Sequence, residues 1–223
     1  MLVVRSNLRK MVAGAACLVV VVMFSGCGKD GKELPKEPPS DPLIYDEGVV
    51  INGVKWATRN VDEVGKFALT PESVGKFYQW NRKKAWNTTD SIVSGWDSTI
   101  PEGTEWVKAK DPSPAGWRVP TFEEVEKLLD TDKVTSEWTS KNGVTGRKFI
   151  DKASGNNLFF PTVGWRKNSD SRLTPSKDGL YWSSTQYNDS NAYYLVFGDD
   201  SGYETQCTKT IRNFGFNIRS VAE

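Results

Sequence analysis

Phe214-Gly215-Phe216-Asn217-Ile218-Arg219-Ser220-Val221, near the end of this 223-residue chain, sets Phe214, Phe216 and Ile218 in alternation with Gly215, Asn217 and Arg219. A period of two is the spacing of a β-strand, because successive side chains leave the backbone on opposite faces. Working outward, the second half of the chain holds further short β-like runs: Arg147-Lys148-Phe149-Ile150, Leu158-Phe159-Phe160, Tyr181-Trp182-Ser183-Ser184 and Ala192 to Phe197. Long polar loops at 166–179, 187–191 and 198–210 separate them.

Two helices are expected ahead of these runs. The clearer one starts at Thr121, where Thr121 and Glu124 have capping-box spacing and Phe122, Val125, Leu128 and Leu129 share one face. It should stop near Asp130. The other is announced by Thr70-Pro71-Glu72, an N-cap followed by a proline at the first helical position; it is interrupted near Gly75 and resumes through Phe77 to Trp86. Upstream, Asn52-Gly53 lies between Val49-Val50-Ile51 and Val54-Lys55-Trp56, the strongest short signal for a hairpin because both positions tolerate positive φ. Two helices with many short, loop-separated strands predict an α+β fold. No period repeats along the chain, which argues against a solenoid or propeller.

The N-terminal segment reads as an address. Arg5, Arg9 and Lys10 precede an apolar run from Met11 to Phe24, and Phe24-Ser25-Gly26-Cys27 closes it. A basic start, a short hydrophobic stretch and small residues at the cut are the parts of a signal peptide. Fourteen apolar positions fall short of the roughly twenty a membrane span needs. The last four residues resemble the lipobox of bacterial lipoproteins, with Phe24 where that pattern usually has Leu. The resemblance implies cleavage after residue 26 and acylation of Cys27, which would attach the mature chain to a membrane; a secretory signal without lipid is the rival reading. Gly28 to Pro42 has four prolines and one apolar residue, so residues 27–45 are expected to be a lipidated cysteine and an extended tether of about 40–50 Å. The folded domain is then 46–223, and the expected location is the cell envelope, on the outer membrane and surface-exposed.

Loss of residues 1–26 removes three basic residues and no acid, leaving 26 Lys and Arg against 28 Asp and Glu. Such a balance gives no basic excess for nucleic acid. There is no histidine, so the commonest general base and zinc ligand are missing. Of three cysteines, Cys17 leaves with the signal and Cys27 takes lipid, so Cys207 stands alone with no disulfide partner.

Several phrases then occur in order: Asn52 to Val61 (NGVKWATRNV), Phe77-Tyr78-Gln79-Trp80, Asp111 to Thr121 (DPSPAGWRVPT), Phe160-Pro161 with Gly164-Trp165-Arg166, Gly179 to Thr185 (GLYWSST) and Gly215 to Val221. Together they resemble the Fibrobacter succinogenes major paralogous domain, a group of exported bacterial proteins, over about residues 48–223. The resemblance implies a C-type-lectin-like fold with two helices, a small mixed or antiparallel sheet and long irregular loops. That family often carries cysteines where Ser113 and Ser220 stand here. If those cysteines pair, both halves have been replaced together, and Ser113 and Ser220 should be close in space.

Trp56, Trp80, Trp117, Trp165 and Trp182 lie inside these phrases and are expected in the core, whereas Trp96, Trp106 and Trp138, in polar surroundings, are candidates for exposed rings. Arg118 and Arg219 are expected to be structural, through an ion pair or stacking on Trp. The loops at 166–178, 187–191 and 198–206 are the expected binding face, with Trp165, Arg166, Tyr187, Asp199 and Tyr203 as candidate ligand-contacting residues. Asp199-Asp200 and Asn188-Asp189 are read as turn formers rather than calcium ligands, because neither the Glu-Pro-Asn, Gln-Pro-Asp nor Trp-Asn-Asp phrase of calcium-dependent lectins occurs. A related branch of that fold contains formylglycine-generating enzymes with cysteine chemistry; Cys207 has no neighbouring cysteine or histidine to activate it and is expected to be idle. No cofactor, metal or catalytic residue is expected. The functional expectation is a lipid-anchored, non-catalytic adhesion module recognising a glycan or surface protein, or part of a fimbrial assembly. The alternative is an envelope enzyme acting on glycans through a carboxylate pair.

Overall fold

The 214–221 segment runs through the middle of the domain and bonds a different neighbour at nearly every step. Gly215 exchanges backbone hydrogen bonds with Arg166, and Phe216 with Tyr78. Asn217 bonds Leu180 and Trp182, while the carbonyls of Ile218 and Ser220 accept from Val61 and Ala57. Only Val221 and Ala222 form a regular strand. Because neighbours cover both faces, Asn217, Arg219 and Ser220 are as buried as Phe216 and Ile218. The alternation therefore marks extended backbone, but it separates two interior environments rather than inside from outside.

The computed structural model describes residues 45–199 and 204–223, which belong to one unit, Asp41–Glu223. The signal segment, Cys27, most of the tether and Tyr203 lie outside the described residues. Twelve strands and one α-helix follow in order. Strands β1 (Val49–Ile51) and β2 (Val54–Trp56) are joined by Asn52 and Gly53 at φ 45° and 77°, the hairpin expected from the sequence. The short β3 (Trp117–Arg118) leads into α1 (Phe122–Leu129). Next come β4 (Val134–Lys141), β5 (Val144–Asp151) and β6 (Asn157–Pro161), a three-stranded antiparallel meander. A small ribbon pairs β7 (Trp165–Arg166) with β8 (Leu173–Thr174). Then β9 (Gly179–Gln186), β10 (Asn191–Phe197) and β11 (Gln206–Ile211) form an antiparallel sheet in the order β11-β10-β9. The final strand, β12 (Val221–Ala222), inserts between β2 and β3, bringing the two ends of the described chain into one sheet.

The β9–β10 sheet divides two apolar clusters. Tyr181, Leu195 and Phe197 face one side, with Val125 and Leu128 of α1 and Phe149 and Phe160 of the meander. Leu180, Trp182, Ala192 and Val196 face the other, with Tyr78, Trp80, Trp106 and Phe216. Burial on both faces accounts for the unbroken apolar runs Leu180-Tyr181-Trp182 and Leu195-Val196-Phe197.

The α+β reading with two helices is overturned: the described residues are 37 % strand and 6 % helix, with a single α-helix among several small antiparallel sheets. The helix at 121–130 forms as expected. Thr121 Oγ1 accepts from the Glu124 backbone at 3.3 Å and a Glu124 carboxylate oxygen accepts from the Thr121 backbone at 2.8 Å. The helix expected from Thr70 does not form. Thr70 and Ser73 close one turn, and the chain then leaves helical space at Gly75, φ 71°, where an added Cβ would sit 2.3 Å from the Val61 carbonyl oxygen. Phe77 and Tyr78 are drawn into extended pairing with Trp86 and Phe216. Long-range backbone pairing thus overrides a local start signal whose intrinsic worth is only about 1 kcal/mol.

Candidate functional site

A cleft of about 570 Å³ opens beside β3, lined among others by Trp106, Trp117, Lys83, Lys108, Asp111 and Glu223. Its floor is the Asp111–Pro120 turn region. Asp111 Oδ1 accepts from the Ser113 backbone at 2.8 Å and Oδ2 from the Val119 backbone at 2.9 Å, so one carboxylate shapes the whole turn. Ser113 and Ser220, expected to be neighbours, share an Oγ–Oγ hydrogen bond of 2.8 Å and tie this turn to the central segment. Trp106 packs edge-on against Trp80 with ring centroids 5.9 Å apart and donates its Nε1–H to the Lys110 carbonyl at 3.1 Å. Trp117 stands half-buried, braced edge-on by Phe67 at 5.5 Å. The cleft thus has indole walls and a rim of hydroxyls from Ser113, Thr121 and Ser184.

Its charges are largely paired. Arg118 forms a bidentate pair with Glu124 at 2.8 and 2.7 Å, as expected of a structural arginine. Donating those hydrogen bonds to Glu124 raises the Arg118 guanidinium above its ordinary value. Burial works to raise the Glu124 carboxyl, but the Arg118 and Thr121 hydrogen bonds outweigh it and hold the group below the usual carboxylate range. Lys108 pairs with Glu223 at 3.0 Å. Lys83, exposed at the edge, has no carboxylate within ion-pair distance among the described residues. Among the described residues no cluster of three or more His, Cys, Asp or Glu is arranged to hold a metal ion.

The residues singled out from the sequence are scattered. Trp165 is half-buried and lines a separate, smaller cavity. Arg166 is fully buried and makes five hydrogen bonds, to Asn87, Asp90 and Ser171, so it cannot meet a ligand at the surface; it pins the 87–90 loop to β7. Tyr187 is exposed, with the Lys209 ammonium 4.6 Å from its ring centroid and the Tyr193 ring edge-on at 5.6 Å. Asp199 pairs with Lys177 at 3.5 Å. Asn188 caps its own loop by accepting from the backbones of Ser190 and Asn191, the turn role expected. Cys207 is partly buried, and burial with the Glu126 charge pushes its thiol up to about 12, which leaves it protonated at neutral pH.

The tryptophans divide differently from the expectation. Trp56, Trp80 and Trp182 are core, as expected. Trp117 and Trp165, expected in the core, are half-buried and each lines a cavity, while Trp106, expected to be exposed, is buried. Trp96 and Trp138 are half-buried, and Trp96 donates to the Asn168 carbonyl at 2.9 Å. Sequence reasoning missed the cleft because its lining comes from residues 83, 106–121, 184 and 223, which no local pattern connects.

Arg219 is also interior and stacks over Phe160 at 4.8 Å rather than over a tryptophan. Its Nε donates to Asn60 at 2.9 Å and Nη1 to the Ala57 carbonyl at 3.3 Å. Burial lowers it to about 10, partly offset by Tyr181 and Asp46, so it remains charged at neutral pH.

Residues 130–221 match a family model described as a domain of unknown function (DUF8237). The match starts at the end of α1 and reaches the first residue of β12, leaving out the β1–β2 hairpin and most of the cleft lining. No curated protein and no solved structure matches the chain.

Proposed function

We propose that this chain is a non-catalytic binding module, attached to the cell surface through lipid on Cys27, that takes a glycan in the Trp117 cleft. The observation that carries the reading is the composition of the cleft: two indoles, three hydroxyl side chains and paired charges around a volume within the range of small-ligand sites. Sugar rings present apolar C–H faces and a perimeter of hydroxyls, so they are matched by aromatic surface edged with fixed donors and acceptors. The two lining carboxylates support binding rather than hydrolysis. Asp111 accepts two backbone N–H groups and Glu223 pairs with Lys108, so both carboxylates are already engaged in holding the protein together. The Phe24-Ser25-Gly26-Cys27 run supports the anchor.

A glycan array probed with the full-length chain tests this. The expected result is saturable binding to a defined glycan class, lost in a Trp117→Ala protein that stays folded at the assay temperature, with the glycan recovered intact. Binding that survives Trp117→Ala, or a glycan recovered shortened, overturns the reading.

A further inference from the structure

A second cavity, of about 150 Å³, lies against β9 and β10 on the face that carries Leu180 and Val196. Trp165, Tyr194, Phe214 and Phe216 contribute aromatic surface, and Asp178 and Thr210 are its polar members. Three of them form a connected array: Phe214 and Phe216 stack with centroids 5.7 Å apart, and Tyr194 lies 4.9 Å from Phe216. Trp182 backs Phe216 from the core at 4.4 Å, which fixes the wall in place.

One carboxylate in an aromatic enclosure calls for a cation. The basic side chains nearby are directed elsewhere. Lys177 pairs with Asp199 at 3.5 Å, and Arg166 spends its guanidinium on Asn87, Asp90 and Ser171. Asp178 has no ion-pair partner among the described residues; the Ser176 hydroxyl donates to its Oδ2 and holds the side chain. Its backbone carbonyl accepts from Val163 and Gly164, both at 3.2 Å, so the residue is fixed relative to Trp165 from both ends.

We propose that this cavity binds the quaternary ammonium group of a small organic cation, at a site separate from the Trp117 cleft. Size, charge and hydrogen-bond capacity agree on that class. An apolar cavity of roughly 150 Å³ takes a benzene-sized group, and a trimethylammonium head is comparable. Aromatic faces attract a cation through their quadrupoles, and the carboxylate supplies the opposite charge. A primary ammonium would bring three N–H donors needing three acceptors at once, whereas a quaternary nitrogen has none to satisfy. An enclosure mostly of carbon with a single carboxylate therefore favours the methylated form.

Calorimetric titration of the full-length chain with choline and with 3,3-dimethylbutan-1-ol, its uncharged carbon isostere, tests the proposal without any substitution. Choline is expected to bind saturably and at least about tenfold more tightly than the isostere. Asp178→Asn should weaken choline at least about fivefold and leave the isostere unchanged, and n-butylamine should bind more weakly than choline. Equal binding of choline and isostere, no saturable choline binding, or choline affinity unaltered in a folded Asp178→Asn protein would each overturn it. Tighter binding of butylamine would overturn the assignment to a quaternary group.

Discussion

The tripeptide Gly-Trp-Arg occurs twice, at 116–118 and 164–166, and its two copies share a backbone but not a fate. In each the glycine has positive φ, 80° and 75°, and Trp-Arg forms a two-residue strand. In each the tryptophan is half-buried beside a cavity. The arginines differ. Arg118 is partly exposed and meets Glu124, a carboxylate already placed by the capping box of α1. Arg166 is fully buried and bonded to backbone carbonyls and the Asn87 side chain. The lesson is that three residues fix a bend and the position of a ring, while the packing around them decides whether a charge is trimmed at the surface or made part of the frame.

The two arginines give the sharpest way to break that comparison. Arg166→Ala should cost about 3–5 kcal/mol, because buried carbonyls lose their charged donor, whereas Arg118→Ala should cost about 1 kcal/mol or less. Urea unfolding of both variants measures this; equal losses would mean the burial difference carries no energetic weight.

A smaller gain is expected from joining Ser113 and Ser220. With their Oγ atoms 2.8 Å apart, Ser113→Cys with Ser220→Cys should oxidise readily and stabilise by about 2 kcal/mol, allowing for native strain. Thiol titration of the domain should then find Cys207 still free, and unreactive at pH 8 because its thiol is pushed up to about 12. Mixed disulfides involving Cys207 would contradict the geometry. If the gain appears, it also sharpens the comparison, since the 116–118 bend would be fixed covalently while the 164–166 bend still rests on Arg166.

Swapping the tryptophans tests whether the cavities are independent. Trp117→Ala should weaken the cleft ligand by about tenfold or more and leave choline unaffected; Trp165→Ala should do the reverse, each change corresponding to about 1.4 kcal/mol or more. Loss of both ligands in either variant would merge the two sites into one.

The smallest effect concerns acid. The Glu124 carboxyl is held below its unfolded value, so the Arg118–Glu124 pair contributes stability above the unfolded pKa of about 4.3 and loses it as pH falls through the lower folded value. Glu124→Gln should therefore flatten the fall of stability below about pH 4.3 by under 1 kcal/mol. The hydrogen bonds of Arg166 go to carbonyls and an amide, which do not titrate, and the Asp90 carboxylate acts on it only through charge, so acid should affect that copy less. Denaturant midpoints between pH 5 and 3 check the difference.

Much of the local structure was legible in the sequence, for reasons that are themselves local. Asn52-Gly53 dictates a turn whatever surrounds it, and Thr121 with Glu124 closes a capping box within one turn of helix. The runs at 147–150, 158–160, 181–184 and 192–197 all fall within strands. What failed was the segment after Thr70, where a start signal lost to the pairing of Phe77 and Tyr78 with distant residues. The sites failed for the same kind of reason: an arginine in a loop phrase looks available until four of its five hydrogen bonds go to residues far away in the chain that enclose it.

The 214–221 segment shows the division most plainly. Its alternation determined that the backbone would be extended, since side-chain period is a property of the strand itself. Only the tertiary structure decided that Asn217, Arg219 and Ser220 would be interior, because that depends on which elements arrive to cover the second face. It likewise decided that Trp117 and Trp165 would each wall a cavity. A ring's exposure is set by the neighbours that close around it, and those neighbours come from parts of the chain that no short pattern links.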